Sequence, residues 1–295
     1  MAPPDQADPP QFWTALVDDA AIFPPGNADL ADAATAYVDR RATPHAALVG
    51  SFVLRDTDVP KVAVPPGVEF PVSIVVTGGA GQIAGPARAC GRSSLTLAGL
   101  EIALRDLDDL AGNARRVVAA VDAARAEGDL DEDVPVYVEL PAGEPTHQWL
   151  AAADEVASAE LRLKFRTGGV EADLFPAAPE LAAWVDAALD RETPFKCTAG
   201  LHNAVRHTGE DGFEHHGFLN VLLATRRAFD GAAAAEVVAT LEQRDGTALA
   251  DEARAADLAG ARRWFTSFGS CSTSEPLDDL FNLGLIPPTD ETGAR

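Results

Sequence analysis

The segments LRLKFRTGG (161–169), PELAAWVDAALD (179–190) and PFKCTAG (194–200) follow one another in the chain and decide its fold. The first and third are short apolar runs that end in glycine, and the second carries apolar residues at helical spacing. A strand, a helix and a second strand in this order are typical of a β/α unit, in which a crossover helix joins two parallel strands. We therefore expect parallel strands covered by helices.

The same alternation continues in both directions along the chain. Strand candidates lie at 15–23, 45–54, 71–78, 95–104, 134–140, 161–167, 194–200 and 264–270, and helix candidates at 28–41, 111–128, 147–157, 179–190, 216–229, 232–244 and 247–260. Eight such units in 295 residues predict a single-domain α/β fold, the (β/α)8 TIM barrel, over residues 13–288. Residues 1–12 and 289–295 are predicted to be a disordered N-terminal tail and a C-terminal tail. A doubly wound sheet is disfavoured because no GxGxxG follows the first strand.

Composition excludes several classes of partner. The formal net charge of −23 argues against binding to nucleic acid or to an anionic membrane surface. No apolar run of membrane-spanning length and no signal peptide is visible, so a cytoplasmic protein is expected. Three lysines among 23 basic residues suggest a halophile with a salt-rich cytoplasm, although an ordinary acidic protein fits as well. The three cysteines lack CxxC spacing and are expected to remain thiols.

Polar residues interrupt the apolar strands at the alternate positions that face the interior of a barrel. In LRLKFRT this parity places Arg162, Lys164 and Arg166 inside, and in PFKCTAG it places Lys196 and Thr198 inside. Arg162 lies at the start of its strand, and we expect it to pair with a carboxylate in a packed ion network. Lys164, Arg166, Lys196 and Glu139 lie near the carboxyl ends of their strands, where barrel enzymes carry their chemistry.

Two lysines on neighbouring strands, with Glu139 on a third, suggest two kinds of chemistry. Adjacent ammonium groups lower each other's pKa and burial acts in the same direction, so a neutral amine able to attack a carbonyl carbon is expected. The sequence does not decide which lysine would be neutral. Alternatively both lysines stay charged and Arg166 clamps an anionic substrate.

At these residues the sequence resembles the class I aldolases of the deoxyribose-phosphate aldolase type. KFRTG (164–168) matches the family's stretch with the imine-forming lysine, KCTAG (196–200) matches the stretch with a second lysine, and GSCS (269–272) loosely matches a phosphate-binding loop. The resemblance covers about residues 160–275. It implies that Lys164 forms an imine and that Lys196 tunes its pKa. It also implies that Thr167, Thr198, Ser270 and Ser272 contact the substrate.

The loop after the seventh strand, GLHNAVRHTGEDGFEHHGFLN (200–220), holds four of the six histidines. His202 is predicted to act in proton transfer and Arg206 in substrate binding, since both closely follow the strand. His215 and His216 fit equally well as residues at the start of the next helix. A zinc site built from this loop is a further alternative, although the spacing is neither HExxH nor HxH.

Carboxylates on two other strands are candidates for proton transfer or for plain ion pairs. Asp18 and Asp19 end the first strand, and parity requires one of them to point inward. We take Asp19 as the catalytic candidate, although the sequence does not decide between the two. Glu101, on the fourth strand, has a comparable claim.

Together these features predict a barrel lyase of aldolase type that acts on a small anionic oxygenated substrate, sugar-like or keto-acid-like, through an imine at Lys164. No cofactor and no metal are expected, and the sequence leaves a homo-oligomer open. A metal-dependent hydrolase built on the loop from His202 to His216 is one alternative. A barrel that binds an anionic metabolite without catalysis is another.

Overall fold

The computed structural model describes residues 10–287, which form one closed parallel barrel. Its strands are β1 (Val17–Asp19), β2 (Val49–Arg55), β3 (Pro71–Val76), β4 (Thr96–Ala103), β5 (Val136–Glu139), β6 (Arg162–Arg166), β7 (Phe195–Thr198) and β10 (Phe265–Ser270). Each strand pairs with its neighbours in chain order, and β10 closes the barrel against β1. The eight-stranded barrel predicted from the sequence is confirmed.

Helices cover the outside of the barrel. They are α1 (Leu30–Arg40), α2 (Ala84–Gly91), α3 (Leu110–Ala126), α4 (His147–Ser158), α5 (Ala178–Asp190), α6 (Phe218–Phe229), α7 (Ala234–Glu242), α8 (Gly246–Ala255), α9 (Leu258–Arg262) and α10 (Ser274–Asn282). The single helix expected at 247–260 is two helices, because Asp257 accepts a hydrogen bond from the Gly260 amide and starts a new helix. The Pro-rich stretch after β2 contains a short 3-10 helix, Asp56–Lys61, in place of a full crossover helix.

Besides helix α2, two short features were not predicted. The loop after β7 contains a small antiparallel hairpin, β8 (His207–Thr208) and β9 (Glu214–His215), which is too short to show a periodic pattern in the sequence. Gln11–Trp13 form a 3-10 turn whose Trp13 side chain is buried, although the predicted N-terminal tail ran to residue 12. The rest of that tail, and the tail predicted at 289–295, lie outside the described residues.

The apolar core lies between the barrel and its helices, which leaves the inward strand positions free for polar groups. Phe165 on β6 packs between Trp184 of α5 and Phe195 of β7, with ring centroids 5.6 and 5.1 Å away. Phe195 stacks in turn on Phe265 of β10 at 5.5 Å. Because these residues point outward, the positions that alternate with them point into the barrel.

Candidate active site

Two buried lysines and three carboxylates form one ion network inside the barrel. Lys164 and Lys196 are opposite each other on β6 and β7. The Glu101 carboxylate binds both of them, with Oε2 2.7 Å from Lys164 Nζ and Oε1 2.6 Å from Lys196 Nζ. Lys164 Nζ also lies 2.9 Å from Glu139 Oε2, and Lys196 Nζ lies 2.6 Å from Asp18 Oδ2.

The network ends in polar side chains on both sides. At the mouth of the barrel, Arg166 Nε donates to Glu139 Oε1 at 2.9 Å. At the other end, Asp18 accepts hydrogen bonds from Ser51 Oγ and Ser267 Oγ, each at 2.7 Å. Three cationic groups thus face three carboxylates. The network is neutral overall, as the cost of burying charge requires.

This pairing reverses the expected shift of the lysine pKa values. Burial alone lowers the pKa of Lys164, but the charges of Glu101 and Glu139 more than offset it, so the pKa lies above its ordinary value. The pKa of Lys196 is also raised, because Asp18 and Glu101 outweigh burial. In the resting protein this arrangement favours the alternative in which both lysines stay charged, since a carboxylate lies between the two ammonium groups. Glu101 itself is buried, yet both lysines lower its pKa to about 2.

A cavity of about 290 Å³ opens at the carboxyl ends of the strands and reaches Lys164. Lys164 is 3% exposed and lines this mouth cavity, whereas Lys196 is 1% exposed and does not. The cavity is also lined by the charged residues Glu101, Arg105, Glu139 and Arg166 and by His202. Among the lysines of the chain, Lys164 is therefore the amine placed to meet a small molecule in the mouth cavity.

The apolar part of the lining comes from short loops around the mouth. Phe23 and Pro24 follow β1, Val170 and Leu174 follow β6, and Val53 and Val75 project from β2 and β3. Apolar walls around a few charged groups are typical of sites for small ligands.

His202 is at the edge of the mouth cavity, beside Glu275 and Cys271. Its Nδ1 lies 2.9 Å from Glu275 Oε2, and its Nε2 lies 3.8 Å from Cys271 Sγ. Cys271 also lines the cavity, and burial raises the pKa of its thiol. Burial therefore favours the protonated thiol, and the His202 ring lies between it and the Glu275 carboxylate.

The carboxylate of β1 that faces the network is Asp18, not Asp19. Asp19 instead accepts a hydrogen bond from Arg40 on α1 at 2.7 Å and another from the Ala21 amide. Burial raises the pKa of Asp19 while Arg40 opposes the rise. The choice of Asp19 as the catalytic carboxylate was wrong, because β1 has only three residues and a pairing irregularity against β2, which weakens parity arguments.

Several residues assigned to substrate binding have structural partners instead. Thr167 is fully buried, and its Oγ1 donates to the Ala199 carbonyl at 2.5 Å. Gly200 has φ +75°, and a Cβ there would lie 2.6 Å from the Thr167 carbonyl oxygen. The threonine and glycine of the two lysine motifs therefore join the ends of β6 and β7, whereas Thr198 does line the mouth cavity.

Three more residues assigned to substrate binding, Ser270, Ser272 and Arg206, have protein partners and lie outside the mouth cavity. Ser270 Oγ accepts a hydrogen bond from the Ser272 amide at 3.3 Å, and Ser272 Oγ accepts one from the Glu275 amide at the start of α10. Neither serine lines the mouth cavity; Cys271, between them, does. Arg206 also lies away from it, with Nη1 3.1 Å from His216 Nδ1 and Nη2 3.3 Å from Glu214.

The histidines of the β7–α6 loop do not converge. His207 stacks on His215 with ring centroids 5.2 Å apart, while His216 Nε2 donates to the Pro176 carbonyl at 2.8 Å. Within residues 10–287 no three His, Cys, Asp or Glu side chains are grouped so that they could hold a metal ion. The zinc alternative therefore finds no ligand cluster in this loop. No helix in the same range is both long enough and apolar enough to cross a membrane.

Sequence analysis did not identify three residues of the site as such. Glu101 was a candidate for proton transfer or for a plain ion pair, Asp19 was chosen over Asp18, and Cys271 had no role of its own within the stretch GSCS (269–272). The charge inside the apolar run LAGLEIAL (97–104) was the signal for Glu101. For Cys271 the signal was its position directly after a strand end.

The chain was also compared with known proteins. No protein family model matches it, and no curated protein does. Among solved structures, a deoxyribose phosphate aldolase from Aeropyrum pernix, described as a tetramer, matches with a TM-score of 0.53 and 14% identity over 95% of each chain. At this level of identity the match supports the barrel fold.

Proposed function

We propose that the protein is a lyase of aldolase type and that Lys164 forms an imine with a small anionic carbonyl compound. The observation that carries the proposal is the position of Lys164: a buried amine at the carboxyl ends of the strands, lining a cavity and held between two carboxylates. The barrel match to an aldolase is consistent with this chemistry.

The proton balance of the first step follows from the network. The Lys164 ammonium gives one proton to Glu139 or Glu101, and the neutral amine attacks the carbonyl carbon to form a carbinolamine. The protonated carboxylic acid returns its proton to the departing hydroxyl, so water leaves and an iminium forms. The iminium then accepts the electron pair when a carbon–carbon bond breaks.

The substrate is proposed to be anionic because two guanidinium groups line the same cavity. Arg166 uses Nε on Glu139, and its two Nη groups have no protein partner within residues 10–287. Arg105, which follows β4, is exposed and lines the same cavity. A carboxylate or phosphate group that bound Arg166 would lie close to Lys164, on the neighbouring inward position of β6.

Reductive trapping tests the proposal. The protein is incubated with pyruvate, glyceraldehyde or acetaldehyde, reduced with borohydride and mapped by peptide mass spectrometry. We expect added mass at Lys164 with at least one of these compounds. Lys164→Arg, which keeps a positive charge between Glu101 and Glu139, should abolish it, and Lys61→Arg, at an exposed lysine, should not. Ligand-induced stabilisation without trapping or turnover would instead support the barrel that binds a metabolite without catalysis.

We also propose a homo-oligomer, since Leu107 and Val170 are large apolar residues that are 61% and 68% exposed. Light scattering after gel filtration tests it: a mass near 30.8 kDa, that of one chain, would contradict it.

A further inference from the structure

A second cavity, of about 580 Å³, opens at the opposite end of the barrel, where the strands begin. Its walls come from the first residues of β2, β3, β5, β6 and β10 and from the loop before β1. It is separated from the mouth cavity by the ion network, since Asp18 and Lys196 line it from within. We call it the N-terminal cavity.

Three arginines line the N-terminal cavity, and two of them have no carboxylate partner. Arg162 and Arg262 form no salt bridge within residues 10–287, and Arg41 has a loose one to Glu69, at 3.5 Å. The carboxylate expected to pair with Arg162 is therefore missing. The acidic residue lining this cavity, Asp18, is already bound to Lys196, Ser51 and Ser267.

Protein contacts hold two of these guanidinium groups in place. Arg162 Nη1 donates to Tyr137 Oη at 3.0 Å, and its Cζ lies 5.5 Å from the centre of the Tyr137 ring. Arg262 donates through Nη2 to the Thr14 carbonyl at 2.9 Å and through Nη1 to the Phe265 carbonyl at 3.1 Å. Rigid donors lose little conformational freedom when they bind a ligand.

Carbonyl oxygens and a phenol do not neutralise a guanidinium charge. Burial lowers the pKa of Arg262 to about 10, and Asp18 only partly opposes this. The Nη atoms of Arg262 already donate to the carbonyls of Phe265, Thr266, Thr14 and Ala15, so Arg262 contributes charge to the cavity. Arg162 has donors that no protein atom within residues 10–287 accepts. This concentration of positive charge is unusual in a chain with a net charge of −23. An oxyanion would supply the missing acceptors and charge.

We propose that the N-terminal cavity is a binding site for a small, multiply charged oxyanion, such as a phosphate ester or a polycarboxylate, with Arg162, Arg262 and Arg41 as its cationic groups. The site is separate from the proposed imine chemistry, because the ligand enters from the other end of the barrel. Binding of the oxyanion in the N-terminal cavity neither requires nor excludes catalysis at Lys164.

Calorimetric titration of the full chain with inorganic phosphate and with citrate, at constant ionic strength set by chloride, tests the proposal. We expect saturable binding of at least one of them, weakened about tenfold or more by Arg162→Gln, because a charged hydrogen-bond donor is lost. Arg41→Gln, at a more exposed position, should weaken binding in the same direction. Arg115→Gln, at an exposed arginine of α3 paired with Glu155, is the matched control and should bind as the parent does.

Arg166→Gln distinguishes the two cavities. Binding that survives Arg166→Gln but is weakened by both Arg162→Gln and Arg41→Gln supports the N-terminal site. Binding lost in Arg166→Gln but intact in Arg162→Gln would assign the anion to the mouth cavity and overturn the proposal. The absence of saturable binding of either anion would overturn it too. Unfolding curves without anion establish that each variant is folded, and Arg41→Gln decides the question if Arg162→Gln does not fold.

Discussion

Lys164 and Lys196 are paired in register across β6 and β7, yet one carboxylate, Glu101, binds both of their ammonium groups. Without a carboxylate between them, two neighbouring ammonium groups would lower each other's pKa and favour a neutral amine. With Glu101 between them, and with Glu139 and Asp18 on their outer sides, both lysines are charged in the resting protein. Glu101 and Glu139 therefore stabilise the proton on Lys164, which the amine must lose before it can react.

Removal of the central carboxylate should destabilise the fold strongly. Glu101→Gln removes the negative charge that the two buried lysines share. We expect the free energy of unfolding to fall by about 3–5 kcal/mol. Urea unfolding at fixed salt measures it. Glu155→Gln, which removes an exposed partner of Arg115, should cost less than about 1 kcal/mol. Similar losses in the two variants would contradict a central role for Glu101.

The rate of imine formation should rise with pH. Because the pKa of Lys164 is raised, the neutral fraction of the amine is small at pH 7 and grows about tenfold for each pH unit below that pKa. Initial rates of borohydride trapping at pH 7, 8 and 9 measure this. Glu139→Gln removes one of the two carboxylates that hold the proton and should speed trapping at pH 7. A flat pH profile would mean that the amine is already neutral in the resting protein.

The barrel could be predicted because it depends on patterns that repeat along the chain. Phe165 and Phe195 alternate with Lys164 and Lys196, so strand parity alone places both lysines inside the barrel. The strand number followed from the same alternation. Local pattern alone was sufficient for these conclusions.

The pairing inside the barrel could not be predicted, because it depends on distances across the lumen. Glu101 is 63 residues from Lys164 and 95 from Lys196, and strand parity does not say which inward carboxylate reaches which amine. The choice between Asp18 and Asp19 failed for a related reason, since an irregular pairing in a short strand shifts which residue faces inward.

The two aspartates of β1 should differ in function. Asp19→Asn disrupts an ion pair with Arg40 outside the network, and we expect the trapping rate at Lys164 to stay within about twofold of the parent, with a loss of stability. Asp18→Asn leaves Glu101 as the single carboxylate partner of Lys196. The ion pair between Glu101 and Lys196 should then strengthen, and the ion pair between Glu101 and Lys164 should weaken. Trapping should then change its pH profile. The reverse result would restore Asp19 as the functional carboxylate.

His216 should make the protein sensitive to mild acid. Burial lowers the pKa of His216 to about 4, whereas its ordinary value of 6.5 applies in the unfolded chain. The folded state thus favours the neutral ring, and this contribution to stability is complete above about pH 6.5 and is lost as the pH falls toward 4. Between pH 7 and pH 5 the loss should be about 2 kcal/mol.

The measurement compares urea unfolding at pH 7 and pH 5, at fixed salt, for the parent and for His216→Gln. The glutamine does not titrate, so the variant should lose about 2 kcal/mol less than the parent over this range, whatever its stability at pH 7. His147→Gln, at an exposed position on α4, serves as the control and should keep the pH dependence of the parent. An equal loss in parent and His216→Gln would show that folding does not lower the pKa of this ring, and that burial does not hold it neutral.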